Sequence, residues 1–180
     1  DTVNSGSCGA NTEPPPYADV IVVMDESASM TFAQQFSVQF ITDLENGLLA
    51  KGLGNTGKGD NQFGLLGYAD GGTTTNLGRV VPVGPNNANF GTAAEYGVAA
   101  QGLTVNGFAE DGYAAMDLAV KSYQPRPDAS KFVILVTNED RDILDPTKTF
   151  SSTLAALKGA GYNLEGILAP IVVTASNQQG

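Results

Sequence analysis

Residues 19–30 read DVIVVMDESASM. An unbroken apolar run, Val20 to Met24, ends in the acid Asp25, and hydroxyls follow at alternate positions, Ser27 and Ser29. Because the run does not alternate with polar residues, it predicts a strand buried on both faces, the pattern of a central parallel strand. Such a strand delivers whatever follows it to the carboxyl edge of the sheet, where ligands of open α/β sheets bind. One carboxylate and two hydroxyls are hard oxygen donors, suited to magnesium, manganese or calcium rather than to zinc or copper. Two neutral hydroxyls would leave a cation some positive charge with which to accept an anionic oxygen from outside. Asp25 itself is expected at the rim of the sheet, outside the core.

The rest of the chain supplies the elements around that strand. Phe32, Phe36, Phe40, Leu44 and Leu48 recur every four residues and predict a helix from Thr31 to about Leu49, ended by Gly52 and Gly54. Phe63 to Tyr68 predicts a second strand, whose Gly64 and Gly67 imply close packing against the sheet. Gly78 to Val83 predicts a third, placed at an edge by Pro82. Thr92 and Glu95 have the spacing of a capping box and open a small-residue helix to about Leu103. A longer helix is expected from about Glu110 to Tyr123, with Tyr113, Met116, Val120 and Tyr123 turned inward. Lys131 to Thr137, KFVILVT, is a second continuous apolar strand. Phe150, Leu154 and Leu157 mark a helix closed by Gly159 and Gly161, and Gly166 to Val173 is the last expected strand. This alternation predicts an α/β fold, an open, mostly parallel, doubly wound sheet with helices on both faces. The string GLGNTGKG at 52–59 satisfies a nucleotide-binding glycine pattern, but it follows a helix and precedes a strand, the reverse of the required context, and reads as a turn.

At 180 residues the chain is long enough for one full core. Residues 1–17, ending in Pro14, Pro15 and Pro16, read as a flexible leader, and 18–180 as a single domain. Nineteen acidic against nine basic residues give a net charge of −10, which disfavours nucleic-acid partners and anionic lipid surfaces. No apolar run is long enough to span a bilayer, so membrane insertion is not expected. The chain has no histidine. That excludes Ser-His-Asp and Cys-His catalysis as well as histidine metal sites. No general base accompanies Ser27 or Ser29, and an enzyme is not expected. Cys8, the only cysteine, lies in the polar leader and reads either as half of an intermolecular disulfide or as a free thiol.

The Asp25-x-Ser27-x-Ser29 pattern, with a strand before it and a helix after, resembles the metal-ion-dependent adhesion site of von Willebrand factor A domains and integrin I domains. The resemblance covers about residues 17–173 and extends to two further segments. AEDGYAAMDLAV, 109–120, is similar to the loop and helix start that give that family its third ligand. There Glu110 takes a place held by threonine in most members and by glutamate in integrin β I-like ones. VTNEDRD, 136–142, matches a place where the family has threonine and aspartate; here Thr137 is followed by Asn138, which can accept a hydrogen bond from a metal-bound water but brings no charge. The acids after it, Glu139, Asp140, Asp142 and Asp145, read as a solvated loop or a neighbouring calcium site. The resemblance thus implies Ser27, Ser29 and Glu110 as direct ligands, with Asp25 and Asn138 orienting metal-bound waters, and Mg2+ as the cofactor ahead of Ca2+ or Mn2+. It further implies an extracellular or cell-surface adhesion domain that captures a protein or other carboxylate-bearing ligand, or else a structural matrix or fibre module of the same fold. Full members continue with a helix, a strand and a final helix; this sequence reads as lacking them, which would expose its last strand, with Pro170, to self-association alongside Cys8.

Overall fold

The computed structural model describes residues 15–31, 33–54, 57, 59–69 and 77–168. Cys8, Phe32, Pro170 and the expected strand residues past Leu168 lie outside them. β1 (Ala18–Asp25) pairs in parallel with β2 (Gln62–Tyr68) on one side and with β5 (Ser130–Thr137) on the other. β6 (Asn163–Leu168) continues the parallel ladder beyond β5, so the parallel strands stand in the order β2-β1-β5-β6. β3 (Arg79–Val81) and the two-residue β4 (Phe90–Gly91) both run antiparallel against β2. The mostly parallel α/β sheet is as the sequence predicts. Two details differ. β6 begins three residues before the expected Gly166, and β4 carries no strand signature because two residues hold no periodicity.

Alternate residues of β1 serve opposite faces of the sheet, which is why its run has no polar members. Val20, Val22 and Met24 join the core beneath α1 (Ala33–Ala50) and α2 (Ala93–Ala100), with Ile41, Tyr96 and Ala100. Ile21 and Val23 join the opposite core beneath α3 (Gly112–Ser122) and α4 (Phe150–Gly159), with Ala115, Met116, Ala119 and Leu157. The four-residue repeat of α1 lays Phe36, Phe40, Leu44 and Leu48 against the first core, with the Phe36 and Phe40 rings stacked at 5.4 Å. Thr92 and Glu95 form the reciprocal capping box that starts α2. After α1 the chain turns through Gly52 and Gly54, both at φ near +80°, where a side chain would be strained.

The glycines of β2 have distinct partners. A Cβ at Gly64 would collide with the Tyr123 ring, whose hydroxyl donates to the Leu65 carbonyl at 2.6 Å and which packs edge-to-face with Phe90. A Cβ at Gly67 would collide with the carboxylate of Glu26. At the opposite end of β1 the buried Asp19 accepts from the backbone and guanidinium of Arg126, which lies over the Tyr17 ring. Tyr17, assigned to the leader from sequence, therefore packs on the body of the domain. Its carbonyl accepts from Ser130 N, as that of Pro16 does from Gly54 N.

Gly64→Ala is expected to lower unfolding stability by about 1–3 kcal/mol, because the Tyr123 ring is buried and hydrogen-bonded and cannot retreat freely. Urea denaturation monitored by circular dichroism measures it; a midpoint equal to the parent's would refute the close-packing account of this glycine.

Candidate metal centre

The two central parallel strands end side by side. Met24 is in register with Val136, so Asp25 and Thr137 emerge next to each other at the carboxyl edge. β1 connects onward to β2 on one side while β5 lies on the other, which makes this the place where strand order reverses. Asp25 is wholly buried and not at an open rim as expected from sequence. One of its oxygens accepts from Ser27 N at 2.7 Å, and the other accepts from the Thr137 hydroxyl at 2.9 Å. Burial pushes its carboxyl above the ordinary value, against the pull of those donors.

The Asp25–Ser27 turn places the two serine hydroxyls 2.9 Å apart, Ser27 buried and Ser29 exposed. The Ser29 hydroxyl also lies 3.2 Å from Asn138 Oδ1 and 3.1 Å from Glu139 Oε1. Asn138 is buried. Glu139, read from sequence as part of a solvated loop, is thus brought to the serines; its side chain follows the last strand residue by two positions, and the apolar signal of that strand gives no hint of where it turns.

Glu110 arrives from a third segment. Ala28 N donates to Gly107 O at 2.9 Å, and Asn106 N and Gly107 N both donate to Glu26 O at 3.1 Å, so the loop before Glu110 is stitched to the serine turn. On its other side the Glu110 carbonyl accepts from Asp142 N at 2.7 Å. The Glu110 side chain is only 4% exposed, and its Oε2 has no hydrogen-bond partner. Burial first, then the charges of Asp25 and Glu139, raise its carboxyl to about 8, with the Ser27 hydroxyl working the other way. Ser27, Ser29, Glu110 and Glu139 line one cavity of about 210 Å³, with Phe108 at its mouth.

Neighbouring acids have other tasks. Asp111 is the N-cap of α3, accepting from Ala114 N, and it also receives Arg141 Nε at 2.5 Å and the N–H groups of Leu144 and Asp145. Asp142 accepts from Glu110 N, and Asp145 caps its own turn through Thr147. The acidic stretch therefore folds on backbone donors. Glu26, unremarked in the sequence, is fully buried beneath the site, paired with Arg79 at 2.5 Å and accepting from Thr104 N at 2.6 Å.

Among the described residues no three His, Cys, Asp or Glu side chains stand together as a metal-binding group. The convergent donors are mixed: two hydroxyls, an amide oxygen and carboxylates. All are oxygen, which fits a hard divalent cation. The partnerless Oε2 of a buried carboxylate fits it further, since such an atom is costly unless something positive or protic meets it.

No family model matches the chain, and no curated protein matches it. Solved structures do. Proximal thread matrix protein 1 from the mussel byssus superimposes with a TM-score of 0.59 at 20% identity, over 89% of this chain and 39% of that one. A second structure of the same protein, described as having a zinc-occupied MIDAS motif, gives 0.57 at 19% identity over 86% and 38%. The pilus adhesin SpaC from Lactobacillus rhamnosus GG gives 0.54 at 15% identity over 92% and 26%. The chain thus spans under two-fifths of the length of these neighbours. These neighbours are von Willebrand A-like in fold, and the mostly parallel α/β sheet of this chain matches theirs. Among the described residues no helix is long and apolar enough to cross a membrane.

A carboxyl whose value is raised on folding takes up a proton that the unfolded chain has already lost, so its contribution to stability falls as pH rises from the unfolded value toward about 8. Without divalent ions, Glu110→Gln is therefore expected to raise the melting temperature more at pH 8 than at pH 5. Thermal melts in chelator at the two pH values check this; an equal effect at both would show that Glu110 is not held in its raised state.

Proposed function

We propose that this is an extracellular adhesion domain that binds a carboxylate-bearing protein ligand through a divalent cation held at the carboxyl edge of β1 and β5. The convergence on one cavity of Ser27, Ser29 and Glu110, whose buried Oε2 has no hydrogen-bond partner, carries the reading. Ser27, Ser29 and Glu110 bind the ion directly. Asp25, already accepting from Ser27 N and Thr137, fixes the turn and accepts from metal-bound water, and Asn138 orients a second water. Bound there, the cation offers a Lewis-acidic coordination position to an incoming anionic oxygen. Magnesium suits a site of few protein ligands and retained waters, with calcium or manganese as substitutes.

The place of action outside the cell is supported by the byssal and pilus origins printed for the neighbours. The thread matrix protein also supports a second reading, a structural module of a fibre or matrix. The two differ in what a chelator does. Capture of an acidic ligand is lost with the ion, whereas a matrix module keeps its contacts. Catalysis is no part of the proposal.

Asp25 is buried between two donors, so Asp25→Ala would strand them at a cost of about 1–3 kcal/mol, whereas Asp25→Asn keeps an acceptor for Ser27 N and removes the charge. Asp25→Asn is expected to remain folded and to lose at least about tenfold in affinity for Mg2+ and Mn2+. Calorimetric titration measures it, and parental affinity in the variant would sink the assignment.

A further inference from the structure

We propose that Glu139 is a displaceable ligand of this site, a carboxylate built into the chain that occupies the place an acidic ligand must take. The inference rests on the metal-dependent reading above and assigns to it a residue that the pattern of Asp25, Ser27 and Ser29 does not include.

The first support is a shortage of protons. The Ser29 hydroxyl has one hydrogen but three oxygens around it: Ser27 Oγ at 2.9 Å, Glu139 Oε1 at 3.1 Å and Asn138 Oδ1 at 3.2 Å. Ser27 Oγ carries its own hydrogen and can donate to Ser29, but Asn138 Oδ1 and Glu139 Oε1 only accept, so one Ser29 hydrogen faces two of them, and a cation among them would serve both. The second is a separate atom outside the Ser29 contacts: the Oε2 of Glu110, buried and without a partner, on a residue that lines the same cavity as Glu139. The third is the division of labour between neighbours. Asn138 is buried and neutral, while Glu139, one residue later, is exposed and brings the negative charge from the solvent side. None of the described ion pairs engages Glu139. Its backbone is nevertheless held, Glu139 N lying 3.4 Å from the Thr137 hydroxyl that also donates to Asp25. The main chain is thus fixed at the site, and the exposed side chain is the part that can swing away.

The chemistry follows from charge. Glu110 and Glu139 together cancel the two positive charges of a divalent ion, and Asp25 adds a further negative charge close by. With Glu139 in place the ion is held firmly but attracts an external carboxylate weakly. With Glu139 displaced, the site is less negative by one charge and the ion has an open position. A ligand carboxylate therefore competes with Glu139, and its apparent affinity is reduced by the fraction of molecules in which Glu139 is bound.

The test compares the parent with Glu139→Gln and uses Asp25→Asn as the control. Mn2+ is titrated into each by calorimetry, and acetate is then titrated into the Mn2+-saturated protein while water-proton relaxation reports on the ion's remaining waters. Glu139→Gln is expected to weaken Mn2+ binding about tenfold and to strengthen acetate binding about tenfold. Weaker Mn2+ binding with unchanged acetate affinity would overturn the competitor role. Parental values for both, with Mn2+ binding still weakened in Asp25→Asn, would overturn Glu139 as a ligand while leaving the site intact. Absence of Mn2+ binding in the parent would overturn both this inference and the metal-dependent reading beneath it.

Discussion

The parallel pairing of β1 with a strand on each side constrains everything else in the molecule. A strand hydrogen-bonded on both edges and covered by helices on both faces has no exposed surface along its length, so only its ends can carry chemistry. Its amino end is closed by Asp19 and Arg126, and its carboxyl end opens into Asp25 and the serine turn. The same pairing sets Asp25 against Thr137 without any adjustment of side-chain length, because Met24 and Val136 are already in register. The candidate centre is thus a by-product of strand alignment, completed by a loop, 104–110, fastened to the turn through backbone hydrogen bonds to Glu26 and Ala28.

Burying acids around such a centre costs free energy unless each finds donors. Three solutions coexist within a few residues. Asp111 collects a guanidinium and three backbone N–H groups and holds its charge, its carboxyl kept below the usual range because these donors outweigh the opposing effect of burial. Glu26 takes Arg79 and Thr104, and Gly67 gives it room by having no side chain. Glu110 has neither solution, and its carboxyl rises toward neutrality instead. The contrast separates acids satisfied by fixed donors from one that keeps a buried oxygen without a partner.

The fold was legible in the sequence because its signals are local. The runs VIVVM and FVILV cannot be half-exposed strands, the four-residue repeat from Phe36 to Leu48 lies within one helix, and Thr92 and Glu95 are three residues apart. Gly64 and Gly67 announced close approaches, although not that a tyrosine and a glutamate would make them. The unread parts depend on distance along the chain. Glu26 meets Arg79 across 53 residues, and Ser29 meets Glu139 across 110. Asp25 looked like a rim residue because an acid after a strand usually faces water; the Thr137 hydroxyl, 112 residues away, is what allows it to be buried. β4 escaped notice for another reason: its two residues pair with β2 by position alone.

The two ends of β1 also define a mechanical axis. The described chain enters at Pro15 beside the amino end of the strand, and the candidate centre lies at the other end, about 26 Å away for eight extended residues. A pull between a ligand gripped at the serine turn and a tether attached before Ala18 would run along β1, parallel to both of its neighbours. Because both points of attachment lie on β1, such a load passes along its covalent backbone, and the ladders to β2 and β5 hold the strand in place without having to transmit the force. The central strand that locates the centre is therefore also the element best aligned to carry tension through it.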